Sequence, residues 1–335
     1  MAAGRQAAVG FPGYEPACQQ AGRSSPPRKG ALSKAAPITF LGPEDGLNCT
    51  SNWTGRCLTA QVRSDVGRKR HNNEDSCMLC APEDDKFLER RGVMFAVADG
   101  MGGASAGERA SRMALETIAS HYFDPNHRGL APVALREALE AANEAVYFEA
   151  ESSLDYAGMG TTASVLAVMG NWAYIAQVGD SRIYLSREGL GIKQLTDDHS
   201  LVAEQMRNGL INAEEARNHL LKNLITRAVG IRDTIEVDLF ALDIHQGDTL
   251  LVCSDGLSNM VPDSEIMGAL AMPDLSAAAD RLVEKALDAG GSDNVTIIAL
   301  RVTGIPPLTH YQQGAQKVAL GPEGLFTRLK KKILS

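Results

Sequence analysis

VMFAVADGMGG, residues 93–103, is the stretch on which the reading of the chain turns. The unbroken apolar run from Val93 to Ala98 predicts a buried strand. It stops at Asp99, and Gly100, Gly102 and Gly103 follow. A carboxylate at the end of a buried strand is costly unless something answers its charge. Glycines permit a tight turn and let a ligand come close to the backbone. Two readings are open at this point: an ordinary Asp-Gly turn, or a metal ion held by Asp99 with other acids converging on it.

The same local grammar recurs along the chain. Asp180-Ser181 follows AYIAQVG, Asp255-Gly256 follows LLVCS, and Asp293-Asn294 stands before VTIIAL. Glu74-Asp75 precedes another strand-like run. If these strands are neighbours, their ends bring several carboxylates into one cleft, where like charges cannot all stay ionised without cations. Such a ligand set is all oxygen. None of the 7 histidines sits in a metal-spaced pair such as HxxxH. Hard ions, Mg²⁺ or Mn²⁺, therefore suit the site better than zinc. A carboxylate-bridged pair of such ions fits phosphoryl transfer. Arg70 is the natural anion partner, because a guanidinium binds two phosphate oxygens at once; a salt bridge to Glu74, four residues on, is its competing role.

Composition sets bounds. With 335 residues, 44% apolar, the chain can fill one large core or two small ones. A net charge of −8 argues against general nucleic-acid binding. No apolar run is long enough to span a bilayer and no secretory pattern opens the chain, so a cytoplasmic location is expected. Cys77-Met-Leu-Cys80 has the CxxC form without a second pair, which favours core thiols over a zinc ribbon. There is no GxSxG elbow and no P-loop.

Residues 1–56, rich in Ala, Gly, Pro and Ser, predict a disordered arm. Strands are expected at 58–62, 76–81, 93–98, 162–168, 172–178, 182–186, 235–242, 249–254 and 295–302, with a charged loop at 82–92. Gly170-Asn171 signals a hairpin turn. Ala110, Met113, Ala114, Thr117, Ile118 and Tyr122 fall at helical spacing after Gly103, and further helices are expected at about 132–151, 262–271 and 276–289. Residues 196–231 form an excursion from the sheets, with short helical patterns at 201–208 and 213–221. Strands, two helices, more strands, two helices and a last strand make an α+β order with antiparallel sheets and helices on the outside. In the tail 304–335, Leu325, Leu329 and Ile333 share a helical face among Arg328 and Lys330–Lys332. A short surface helix or a frayed end is expected there rather than a membrane-surface or docking helix.

Taken together and in this order, the motifs resemble the metal-dependent protein serine/threonine phosphatases of type 2C, the PPM family, in their bacterial form. Asp65-Val-Gly-Arg-Lys-Arg-His-Asn-Asn-Glu-Asp75 resembles its GxxRxxNED, and Asp99-Gly-Met-Gly-Gly103 its DGxGG. Gly158-Met-Gly-Thr-Thr162, Val178-Gly-Asp-Ser-Arg182, Asp198-His-Ser200, Ser254-Asp-Gly-Leu257 and Ser292-Asp-Asn-Val-Thr296 resemble the later markers. The resemblance runs from about Cys57 to Val302 and implies a catalytic domain over 57–303. It implies a four-layer α-β-β-α sandwich of two antiparallel sheets flanked by helices.

The resemblance also implies roles. Asp99 would bridge two Mn²⁺ or Mg²⁺ ions, and the Gly100 carbonyl would bind the second. Asp255 and Asp293 would complete the first. Glu74 and Asp75 would act on the second, directly or through water, and Arg70 would hold the substrate phosphate. Some members carry a histidine where Met101 stands, suggested as general acid, so here the proton would come from a metal-bound water, a residue of the excursion or solvent. A third ion, frequent in bacterial members, would draw on Asp155 or Asp198. The implied activity is one-step hydrolysis of phosphoserine and phosphothreonine on proteins by an activated water. The expected partners are phosphorylated proteins, a Hanks-type serine/threonine kinase and its targets, and a monomer is expected. The alternatives are a non-catalytic phosphoprotein binder, or a regulatory phosphatase acting on anti-sigma antagonists. The complete carboxylate set argues against the first. The short polar arm, unlike a sensor domain, argues against the second.

Overall fold

A computed structural model of the chain describes residues 36–320, apart from 213–214, 217–218 and 222. The expected arm over 1–35 and the basic stretch Leu325–Ser335 lie outside the described residues, as does part of the helical pattern at 213–221.

In chain order the elements are β1 (Ile38–Gly42), β2 (Cys49–Thr54), β3 (Leu58–Asp65), β4 (Asp75–Cys80), α1 (Asp85–Arg91), β5 (Val93–Met101), α2 (Ala104–Tyr122) and α3 (Ala131–Ser152). There follow β6 (Gly160–Thr161), β7 (Ala163–Met169), β8 (Trp172–Val178), β9 (Arg182–Arg187), β10 (Gly191–Gln194), α4 (Leu201–Arg207), β11 (Asp238–Asp243) and β12 (Thr249–Cys253). The chain closes with α5 (Asp255–Ser258), α6 (Asp263–Leu270), α7 (Leu275–Asp288), β13 (Val295–Val302) and α8 (His310–Leu320). One sheet runs β1-β4-β5-β7-β8-β11, with β6 paired to β5; the other runs β10-β9-β12-β13-β3-β2. The described pairings are antiparallel, and β7 and β8 form the expected hairpin, with Met169 opposite Trp172 across Gly170-Asn171.

The period-2 geometry of strands divides the apolar residues between two cores. Met78, Cys80, Met94, Ala96 and Ala98 face α2 and α3. Cys77, Leu79, Val93, Phe95 and Val97 face the second sheet, against Val62, Val252, Ile298 and Leu300. The run at 93–98 is unbroken because both faces of β5 are buried. A third core packs Leu251, Ile297 and Ala299 of the second sheet against Ile266, Leu270 and Leu282 of α6 and α7. The result is the expected α-β-β-α sandwich. Cys77 and Cys80 lie on opposite faces of β4, in different cores, so they cannot share one ion; they are core thiols.

Two expectations are corrected, and the tail adds an element. The expected arm over 1–56 ends earlier than Arg56: β1 pairs with β4, and β2 pairs with β3. These edge strands are short: β1 is five residues long, and β2 is rich in Ser and Thr and alternates between half-buried and exposed. The charged loop at 82–92 contains α1, nucleated by Asp84, whose Oδ1 accepts the N–H groups of Lys86 (2.8 Å) and Phe87 (3.1 Å). The tail contains α8. Arg91 donates to the Tyr311 hydroxyl (3.2 Å), and Gln316 Nε2 donates to Asn171 Oδ1 (3.2 Å), which ties α8 to α1 and to the β7–β8 turn.

Candidate active site

The register of the first sheet makes Asp75 and Asp99 direct cross-strand partners. Asp255 opens α5 immediately after β12, and Asp293 stands two residues before β13. Carboxylates from both sheets therefore meet at one end of the sandwich. Asp99, Asp255 and Asp293 line a cleft of about 630 Å³ with Arg70, Glu74 and Gly100, while Asp75 is buried beside Asp99 on the neighbouring strand. Asp180, just past the end of β8, joins them.

Each carboxylate is aimed by groups that the motifs contain. Asp75 is buried, and its Oδ2 accepts from the Ser254 hydroxyl (2.7 Å), whose oxygen in turn accepts the Thr296 N–H (3.0 Å). The Asp99 backbone is clamped three ways. Its N–H donates to Thr162 Oγ1 (2.8 Å), and its carbonyl accepts from the Thr161 hydroxyl (2.9 Å) and the Thr162 N–H (2.9 Å). Asn294 locks the 66–74 loop: its Nδ2 donates to the carbonyls of Val66 (2.8 Å) and Asn72 (2.9 Å), and its Oδ1 accepts the Glu74 N–H (2.9 Å). Gly100 lacks a side chain for a packing reason: a Cβ there would lie 2.1 Å from the Gly107 carbonyl oxygen of α2. That close approach, not only a carbonyl aimed at an ion, requires glycine.

The electrostatics are those of crowded acids. Burial, then the charges of Asp75, Asp255, Asp180 and Asp293, push Asp99 well above the usual carboxylate range, although its side chain keeps some exposure to the cleft. Burial also raises Asp75 to about 7, against the hydrogen bonds from Thr296 and Ser254. It raises Asp180 to about 8, with Asp255 and Asp198 adding to it, and Asp255 to about 6, with Asp293 adding to it. Glu74 is raised by burial, partly offset by Arg70. Asp180 Oδ1 is buried and has no hydrogen-bond partner. Carboxylates so placed are protonated at neutral pH or neutralised by cations. An all-oxygen donor set with an orphaned carboxylate oxygen fits Mn²⁺ or Mg²⁺. Among the described residues no three of these side chains close on a single point, so water and backbone oxygen would have to complete any coordination shell.

Arg70 does not pair with Glu74 by hydrogen bond; its Nη2 donates to Asp293 Oδ2 (2.9 Å). The structure does not bring Asp155 or Asp198 into the cleft. Asp155 is exposed, on the 3₁₀ turn Leu154–Tyr156. The oxygens of Asp198 are taken by Arg182 Nε (3.0 Å) and Nη2 (2.7 Å) and by Gln194 Nε2 (2.8 Å).

Sequence reasoning assigned no role to a second set of residues. His199 is buried; its Nδ1 accepts the Gly179 N–H (3.1 Å), and its own N–H donates to the Gly179 carbonyl (3.0 Å). On its other side Nε2 lies 3.3 Å from Asp238 Oδ2, and Asp238 Oδ1 accepts from Arg227 (2.7 Å). This network holds the turn that presents Asp180. It also ties that turn to the 196–231 excursion, whose Asn223, Leu224 and Ile225 line the cleft.

A protein phosphatase 2C family model matches residues 71–289. The serine/threonine phosphatase stp of Listeria monocytogenes is 40% identical over 245 residues, covering 72% of this chain and 94% of that one. The serine/threonine protein phosphatase PstP of Mycobacterium tuberculosis is 39% identical over 245 residues, covering 73% of this chain and 45% of that one. The crystal structure of M. tuberculosis PstP/Ppp superposes with a TM-score of 0.66 at 38% identity, covering 74% of this chain and 100% of that one. A structure of the PstP catalytic domain in complex with 2 manganese ions gives a TM-score of 0.64 at 38% identity, covering 74% and 99%. On these matches, and on the carboxylate cleft they share a fold with, the chain belongs to the protein phosphatase 2C family and is a serine/threonine protein phosphatase.

Proposed function

We propose that the chain hydrolyses phosphoserine and phosphothreonine on proteins at a two-ion Mn²⁺ or Mg²⁺ centre held by Asp75, Asp99, the Gly100 carbonyl, Asp255 and Asp293, with Glu74 acting directly or through water. The observation that carries this reading is the convergence of buried, mutually repelling carboxylates from both sheets beside Arg70. Ions of this kind, when bound, activate water and neutralise the charge that develops on a transferring phosphoryl group.

The chain's own residues supply the rest. Arg70, restrained by Asp293, offers its remaining N–H donors to the phosphate. The Thr161, Thr162 and Ser254 clamps keep the carboxylates in place without reorganisation during turnover. The strands at 38–42 and 49–54 pair with β4 and β3, which supports counting them with 57–303 as part of the catalytic unit. No described helix is long and apolar enough to cross a membrane. A cytoplasmic monomer that opposes a Hanks-type kinase fits this reading.

The deciding assay is Mn²⁺-dependent release of phosphate from a phosphothreonine peptide and from p-nitrophenyl phosphate. Folded protein with Mn²⁺ and no turnover on either substrate overturns the reading and favours a phosphoprotein binder. For the kinase, loss of the phosphatase should raise phosphorylation of that kinase's own activation segment, and unchanged phosphorylation removes it as the opposed partner.

A further inference from the structure

We infer that His71 donates the proton to the departing serine or threonine oxygen. The inference rests on the phosphatase reading above. Breaking the phosphate ester leaves an alkoxide, which is about as basic as hydroxide, water itself having a pKa of about 15.7. A proton must reach that oxygen as the bond breaks, and a positioned donor contributes roughly 10²–10⁴-fold.

The cleft offers few donors. Met101, Gly102 and Gly103 carry no acidic proton. Asn72 and Asn223 present amides, and Arg70 presents a guanidinium that does not deprotonate in proteins. The carboxylates of Glu74, Asp99, Asp180, Asp255 and Asp293 become acceptors once cations hold them ionised. His71 is the imidazole among the described lining residues, and imidazole is the side-chain class that exchanges protons near neutral pH.

Its placement suits the task. It follows Arg70 directly, and both residues line the cleft. It is exposed, and its ring is engaged by no described hydrogen bond. The charged groups around it are Arg70 and Glu74 on its own segment and the four aspartates across the cleft; Asn223, Leu224 and Ile225 add no charge from the excursion.

The step balances as follows. The water oxygen forms the new P–O bond and one of its protons leaves to solvent. The ester P–O bond breaks, its electron pair stays on the seryl or threonyl oxygen, and that oxygen takes the His71 proton. The imidazole regains a proton from solvent.

The test uses leaving groups. p-Nitrophenolate departs as a stable anion and needs no proton, whereas a seryl oxygen does. His71→Gln is expected to lower kcat on a phosphoserine peptide by about 10²-fold or more. Turnover of p-nitrophenyl phosphate should stay within about twofold, which also shows that the variant is folded and loaded. Across a series of aryl phosphates its rate should fall more steeply with leaving-group basicity than that of the parent protein. Added imidazole should restore peptide turnover to His71→Ala. Equal losses on both substrates, no loss on the peptide, or an unchanged leaving-group dependence overturns the inference. So does finding the selective peptide defect in Asp180→Asn instead, which would make that carboxyl the donor. Failure of the parent protein on both substrates is a different result, and it is the phosphatase reading that then falls.

Discussion

Asp75 and Asp248 are equally buried, 1% and 2% exposed, and their surroundings are opposite. Asp248 lies at the start of the loop-to-strand turn before β12. Arg187 grips it with Nε on Oδ1 (2.8 Å) and Nη2 on Oδ2 (2.7 Å), and the His245 N–H donates to Oδ2 (2.7 Å). Its charge is answered by protein. Asp75 receives a serine hydroxyl and faces Asp99, Asp255 and Asp293. The same residue type at the same depth is a structural clamp at one end of the sandwich and an unpaid charge at the other. Buried acids of the first kind hold the fold together; those of the second kind wait for something positive.

Substitutions should separate the two kinds. Asp99→Asn is expected to cost about 10³-fold in kcat, comparable to losing a preorganised charge-stabilising group, while raising the melting temperature of the cation-free protein. If turnover and Mn²⁺ affinity both survive, the bridging role is wrong.

A pH series reads the same contrast without mutation. Burial and neighbouring charge raise Asp75 to about 7, Asp180 to about 8 and Asp255 to about 6 in the folded state, above the ordinary 3.8. The folded, cation-free protein then binds more protons than the unfolded chain between these values. Its stability is fully present below about pH 4 and is lost as pH rises through 6–8. Urea unfolding in chelator at pH 5 and pH 8 measures this, and Mn²⁺ should flatten the slope. A stability that rises over that window would show that the acids are compensated by protein.

Asp238 has the opposite sign. Burial raises it, but hydrogen bonds from His199 and Arg227 outweigh that and bring it to about 2, so its contribution is present at neutral pH and lost on acidification below about 4.

Asp248→Asn should do what Asp99→Asn does not. It leaves the half-buried Arg187 without its carboxylate partner, with only the Asp243 carbonyl to accept from it, and is expected to destabilise the protein by about 1–3 kcal/mol, with kcat unchanged. Chemical denaturation beside steady-state kinetics checks both halves. The smallest expected effect is that of Arg70→Ala, about tenfold, borne mainly by KM because the guanidinium meets phosphate in ground and transition states alike. A defect confined to kcat would place Arg70 in the transition state alone.

Much of this was legible in the sequence because a strand that ends in a carboxylate carries two signals at once, an apolar run and a charge that contradicts it. Asp75, Asp99, Asp255 and Asp293 were found that way; Asp99, Asp255 and Asp293 line the cleft, and Asp75 is buried as the cross-strand partner of Asp99. Asp180 carried the same signal without an assigned role. His199 sits in the Asp198-His-Ser200 motif without an assigned role and Asp238 had no local signature, since their importance lies in a contact between segments about 40 residues apart that only the folded chain makes. Asn294 and Asn73 sit inside recognisable motifs, yet what they do, anchoring loops through amide hydrogen bonds, depends on where distant carbonyls fall. Asp198 misled because proximity in sequence to the excursion said nothing of Arg182, which engages it. The edge strand β2 was missed because every second residue faces solvent and it lacks an apolar run, and β1 because its apolar stretch is only a few residues long.

The helix α8 carries a spatial consequence. Its Gln316 meets Asn171 at the turn that begins β8, whereas Asp180 lies just beyond the other end of that strand. At about 3.3 Å per residue the two places are roughly 25–30 Å apart. Helix α8 thus packs against the pole of the sheet opposite the cleft, and a substitution at Gln316 or Asn171 acts on the anchoring of that pole without touching the carboxylates.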